Sequence, residues 1–264
     1  MYQLSLEWFN KRIAFVATIF FVFSGFLVFQ SQNFRYYSVY VLMTLLSYLF
    51  YYRALQSGKL KHFVPYVLFS ALTFYGHSHG MFVLFSQGLY GLYYHFLLWR
   101  AKSDDLMKIG PRWVISQFAI IALIAYGLLQ VLGGTSGEGN LAPTWISHPS
   151  PFAPIRTFVR FYFHWPTYFA LVSFAAAGWF FVSMMLIQLR ANGLGKWGRS
   201  IRQLPTEAAS YTKEFHRPTA LVLFWLGGSI ITPFIVSYIM EPIFVDRYLL
   251  AAAPLSVVCW ARAD

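Results

Sequence analysis

The side chains best suited to chemistry fall in four short stretches. In "FQSQNFRYYSVY" (29–40), Gln32, Asn33 and Arg35 run into Tyr36, Tyr37 and Tyr40. In "FYGHSHG" (74–80), His77 and His79 stand between glycines. In "PIRTFVRFYFHW" (154–165), Arg156, Arg160 and His164 recur at helical spacing. In "EPIFVDRYLL" (241–250), Glu241, Asp246 and Arg247 lead into Tyr248. Guanidinium groups hold phosphate through paired, charge-assisted hydrogen bonds. Histidine near its ordinary range hands protons on or ligates metal.

Each stretch has a plainer reading beside the chemical one. Arg35 and its tyrosines fit a belt at the membrane interface as well as a polar pocket for an anionic headgroup. His77 and His79 fit a polar turn, a hydrogen-bonding or proton-handling pair, or part of a metal site, for which His-x-His alone is a weak signal. Asp246 fits simple neutralisation of Arg247; the alternative is an Arg247 that faces a cleft and grips phosphate beside Tyr248. No protein metal centre is called for, although a divalent metal stays open.

The elements that must position these residues are helices in lipid. The chain of 264 residues is 58% hydrophobic, 21% aromatic and only 11% charged. A soluble domain of ordinary composition carries about 25% charged residues. Eight spans follow from the apolar runs: 13–30, 36–52, 62–76, 80–98, 113–132, 166–189, 218–239 and 247–262, against the roughly 20 residues a bilayer core requires. Residues 63–98 are apolar almost throughout. As one helix they would be roughly 54 Å long, so the chain must turn, and "GHSHG" is the break.

With the N-terminus placed in the cytoplasm, nearly all lysines and arginines lie in cytoplasmic segments; Arg35, Arg156, Arg160 and Arg247 alone lie outside. The bias follows the positive-inside rule. The net charge of +11 is therefore topological and gives no reason to invoke nucleic acid. The four outer arginines run against the bias, so some other role keeps them there.

The expected architecture is all-α and integral to the membrane: one polytopic domain over 1–264, both termini cytoplasmic, with a short interfacial helix in the outer segment 133–165. The lone cysteine, Cys259, excludes a disulfide within the chain. No P-loop, nucleophile elbow, zinc-protease or dinucleotide motif occurs.

The order of "FQSQNFRYY", "YYRALQSGKLK", "LTFYGHSHGMFVLFSQGLY" and "PIFVDRYLLAAAPL" resembles GT-C glycosyltransferases. The closer likeness is to the bacterial branch of protein mannosyltransferase relatives, lipid A aminoarabinose transferases and Rgt-type galacturonosyltransferases. Gln32, Arg35 and Tyr37 match the family's second outer motif, with Asn33 in place of its glutamate. His77 matches a Thr-His turn that has lost its threonine. Phe244, Arg247, Tyr248 and Pro254 match its late Arg-Tyr motif.

The resemblance implies transfer of a sugar from a polyprenyl-phosphate donor to a lipid, glycan or protein acceptor, on the outer face of a bacterial inner membrane. Arg35, Arg247 and Tyr248 would bind the donor phosphate. Gln32, Asn33, Tyr37, His77 and His79 would line the cleft, and Arg156, Arg160 and His164 would make interfacial phosphate contacts. The chain is expected to lack the family's first helix and first outer loop, which carries the acidic base. Among the outer acids Glu138, Glu241 and Asp246, only Glu241 and Asp246 flank the donor motif, and neither matches the family base. Two other classes remain: a lipid-carrier transporter or flippase, and a non-catalytic membrane partner of such an enzyme.

Overall fold

The computed structural model describes residues 1–9, 11–32, 36–133, 146–162, 218, 220–239 and 242–254, with Asp246 and Arg247 as backbone positions. Most of these residues are helical, with no strand among them. In chain order the helices are α1 (Tyr2–Trp8), α2 (Lys11–Val22), α3 (Gly25–Gln32), α4 (Tyr37–Ser57), α5 (Leu60–Gly76), α6 (Gly80–Arg100), α7 (Asp105–Gly133), α8 (Ala153–Tyr162) and α9 (Ala220–Ile239). A 3-10 helix, Asp246–Ala252, follows α9.

Among the described residues α4, α7 and α9 are long and apolar enough to cross a membrane. A fourth span is formed if α2 and α3 count as one, bent by 47°. The bend falls in the run expected to span at 13–30. Its cause is local: Ser24 accepts the Leu27 N–H at 3.4 Å and so caps a new helix. Helix α5 has 17 residues, about 26 Å at the helical rise. The run expected to span from 247 instead begins as a 3-10 helix. Residues 166–189 and 255–262 lie outside the described residues.

The core is unusually aromatic. Tyr40, Tyr48, Tyr51, Tyr66, Tyr90 and Trp225 are all fully buried. Buried hydroxyls in a membrane core have no water to turn to, so they need partners within the protein. Tyr51 donates to the Gln87 carbonyl at 2.6 Å, Tyr48 bonds Ser86 at 2.5 Å, and Gln117 donates to Tyr66 at 3.1 Å. Helices α4 and α5 lie antiparallel: Ser47 meets Ser70 at 2.8 Å, and the Tyr51 and Tyr66 rings are 4.9 Å apart. Around this core Leu68, Leu92, Ile115, Phe118 and Tyr126 are exposed. Apolar exposure on that scale suits lipid as the surrounding solvent.

Helix α1 is an element that periodicity did not mark. Its Trp8 is buried edge-on against Tyr52 and Trp225, each 6.0 Å away between centroids. Tyr48 stacks on Trp225 at 3.6 Å. Glu7 forms an ion pair with Arg53 on α4. Helix α9 widens into a π-helical turn at Gly227–Ile231, where Gly228 meets Ser86 so closely that a Cβ would stand 2.2 Å from the serine Cβ.

Candidate functional site

The site begins where α5 stops. His77 takes an extended backbone (φ −164°, ψ 136°), which ends the helix at Gly76. Helix α6 starts again at Gly80, whose missing side chain is required: a Cβ there would lie 2.6 Å from the Thr73 carbonyl oxygen. The turn is thus closed tightly over the end of α5. Within it the His79 N–H donates to His77 Nδ1 at 3.1 Å. An accepting Nδ1 carries no proton, so the neutral His77 ring holds its proton on Nε2.

Rings then gather around His77. Tyr40 lies 5.5 Å away between centroids, Tyr36 and Tyr37 each 6.1 Å, and Tyr248 4.8 Å. Tyr248 is also 4.9 Å from His79. The turn expected at 76–80 and Tyr248 of the late Arg-Tyr motif therefore meet, with Tyr37 in the same cluster. Arg247 precedes Tyr248 in the 3-10 helix.

Two further side chains fix that helix. His79 Nε2 donates to the Ile243 carbonyl at 3.0 Å. That bond leaves the neutral ring's Nδ1 unprotonated, buried and without a partner among the described residues. Burial, partly opposed by the bond to Ile243, pushes the His79 imidazole down to about 4, so it is neutral at ordinary pH. Ser237 at the end of α9 accepts the N–H groups of Ile243 at 3.0 Å and Phe244 at 2.9 Å, and donates to the Pro233 carbonyl at 2.8 Å. His148 in turn donates from Nδ1 to the Ser237 carbonyl at 3.0 Å. Residues 242–245 are thereby strapped across the top of α9 and delivered to the histidine turn.

Beside the cluster lies a cavity of about 360 Å³ between α2, α3, α4 and the 3-10 helix. Its walls are apolar, with Leu27, Val41, Leu45 and Leu250 among them; Gln30, Ser31, Tyr37 and Ser38 supply polar atoms. Tyr37 belongs to both the cavity and the ring cluster.

The remaining expected site residues are distributed differently. Gln32 is exposed at the end of α3. Arg156 and Arg160 are exposed on α8, whose other face buries Ala153, Thr157 and Phe161. That helix is anchored at the α2–α3 bend: Ser24 donates to the Phe161 carbonyl at 2.9 Å, and Phe26 and Phe161 lie 5.3 Å apart. The amphipathic helix expected within 133–165 is present with its two arginines on one side. Asn33, Arg35, Glu138, His164 and Glu241 lie outside the described residues. Among the described residues no three His, Cys, Asp or Glu groups come together as metal ligands. The described carboxylate side chains are Glu7, paired with Arg53, and Asp104 and Asp105 at the start of α7, so none stands in the ring cluster.

Sequence reasoning missed Ser237 and gave His148 no role. Ser237 has no motif around it; its signal is only a serine in the last turn of an apolar helix, shortly before Pro242. Compared with models of known protein families, with curated proteins and with solved structures, the chain matches none.

Proposed function

We propose that the chain is the body of a membrane glycosyltransferase that moves a sugar from a polyprenyl-phosphate donor to a lipid, glycan or protein acceptor. The carrying observation is the meeting of His77 with Tyr248, next to Arg247, at an apolar cavity that shares Tyr37 with the cluster. Lipid phosphates need that combination: an apolar slot for the first part of the tail and cationic or N–H donors at its mouth.

In this reading the tail enters the cavity and the phosphate sits by Arg247, Arg35 and the Nε2–H of His77. The bond between the sugar's anomeric carbon and the phosphate oxygen breaks, and that electron pair stays on the phosphate. Arg247 and Arg35 stabilise the growing charge. The acceptor oxygen bonds the anomeric carbon and gives up its proton to a base. Glu241 and Asp246 are the acids nearest in sequence to the phosphate motif.

The same reading places eight spans in a bacterial inner membrane with both termini in the cytoplasm and the ring cluster on the periplasmic face. Cysteine labelling tests the orientation: Ser78→Cys should react with an impermeant maleimide from outside, and Lys108→Cys only after the membrane is opened. Activity is tested in proteoliposomes with a radiolabelled polyprenyl-phosphate sugar. Arg247→Ala and Arg35→Ala should each lower glycoside formation by about 100-fold or more, with normal membrane insertion. Wild-type turnover in both variants overturns the reading.

A further inference from the structure

At the opposite end of the bundle, the α4–α5 turn faces the start of α7 across a cavity of about 470 Å³. That volume falls within the range of small-molecule sites, about 300–1,000 Å³. We infer that this cavity binds a phosphoethanolamine-type zwitterion, with its phosphate on Lys108 and Arg112 and its ammonium on Asp105.

The three side chains follow from helix geometry. Positions 105, 108 and 112 are three and seven residues apart, hence on one face of α7, and all three line the cavity. Asp105 and Lys108 are exposed and opposite in charge, yet among the described residues they form no ion pair with each other, nor Asp105 with Arg112. Arg112 is already oriented: one guanidinium nitrogen donates to the Gly58 carbonyl, which fixes the group between the two walls. A guanidinium has five N–H donors, so the others stay available to a phosphate.

The turn opposite is rigid. Gly58 holds a left-handed backbone, φ 63°, and its N–H closes α4 onto the Ala54 carbonyl. The α7 wall adds an acceptor: Pro111 has no N–H to give the Met107 carbonyl, and Met107 lines the cavity. Two cations beside one carboxylate and a carbonyl freed from its helical donor match phosphate and ammonium in one ligand. They do not match a simple anion, which Asp105 would repel.

The ligand comes either from a phospholipid headgroup in the adjacent leaflet or from a free phosphoester. Native mass spectrometry of the full chain in detergent separates the two, with dioleoyl phosphatidylethanolamine, dioleoyl phosphatidylglycerol and free phosphoethanolamine as probes. The wild type should bind the ethanolamine lipid several-fold better than the glycerol lipid. Lys108→Ala should weaken the ethanolamine lipid by about tenfold, and Asp105→Asn should abolish the preference between the two lipids. Both positions are exposed, and unchanged melting confirms that the variants fold.

Binding of free phosphoethanolamine with the same sensitivity to both variants identifies a soluble ligand; its failure to bind beside a selective lipid identifies the headgroup. Equal binding of both lipids by the wild type, or variants that bind like the wild type, overturns the proposal.

Discussion

His79 and Ile243, 164 positions apart in the chain, are joined by a hydrogen bond of 3.0 Å from imidazole Nε2 to carbonyl oxygen. The bond ties the turn between α5 and α6 to the strap that leads into Arg247 and Tyr248. The two halves of the ring cluster are therefore held by the backbone of one and the side chain of the other.

Removing that bond while keeping a ring should loosen the strap. His79→Phe retains contact with Tyr248 and Phe82 but leaves the Ile243 carbonyl without its donor, at a cost of about 1–3 kcal/mol. The same variant should alter the acid response. The folded ring titrates at about 4 and the unfolded one near 6.5. Between those values the unfolded chain binds a proton that the folded chain refuses, so stability falls as pH drops from 6.5 towards 4 and then levels off. Wild type should lose about 2 kcal/mol between pH 7 and pH 5 through this group, and His79→Phe should lose none of that share. Melting curves in detergent at the two pH values check both parts.

Ser237→Ala should expose the same strap from the other side. It takes the acceptor from two backbone N–H groups, each costing about 1–3 kcal/mol if left unpaired. Hydrogen exchange over 243–252 should quicken markedly, while α4 and α5 stay protected. Ser237→Thr keeps the hydroxyl and should retain slow exchange.

The Glu7–Arg53 pair should contribute modestly. The two side chains are 23% and 29% exposed, so solvent screens them, and their coupling in a double-mutant cycle should be about 1 kcal/mol or less. Arg53→Met should cost more than Glu7→Gln, because Arg53 also lies over the Phe50 ring at 5.4 Å.

Gly228→Ala should destabilise by about 1–3 kcal/mol through overpacking against Ser86. Ser86→Gly removes the atom it strikes, although that change alone deprives the Tyr48 hydroxyl of its partner. The double variant should therefore lose less than the two single variants summed.

Much of this arrangement was legible from the chain, for reasons that differ by position. The turn at 76–80 was readable because a continuous apolar run exceeded what a bilayer needs, and glycines marked the break. The amphipathic α8 was readable because Arg156 and Arg160 recur one turn apart. The bend between α2 and α3 was hidden: hydropathy continues straight through Ser24, and its capping bond and its bond to Phe161 are invisible to periodicity. Helix α1 is too short to show a period, and its burial depends on Tyr48, Tyr52 and Trp225 arriving from distant segments. The start of the last expected span was misread as α-helix because apolarity does not distinguish a three-residue turn from a wider one. Ser237 bonds across the 240–241 connection, so only the folded chain reveals its use.

The docking of Trp8 onto Trp225 also bears on biogenesis. Helix α1 is made early and α9 late, with Tyr48 stacked on one partner and edge-on to the other. Until the ribosome has delivered α9, the indole of Trp8 and one face of Tyr48 lack their final cover. The bundle therefore cannot zip up helix by helix as each leaves the translocon. Its N-terminal seam must wait, open to lipid or to a chaperone, and closes only when the late span swings in.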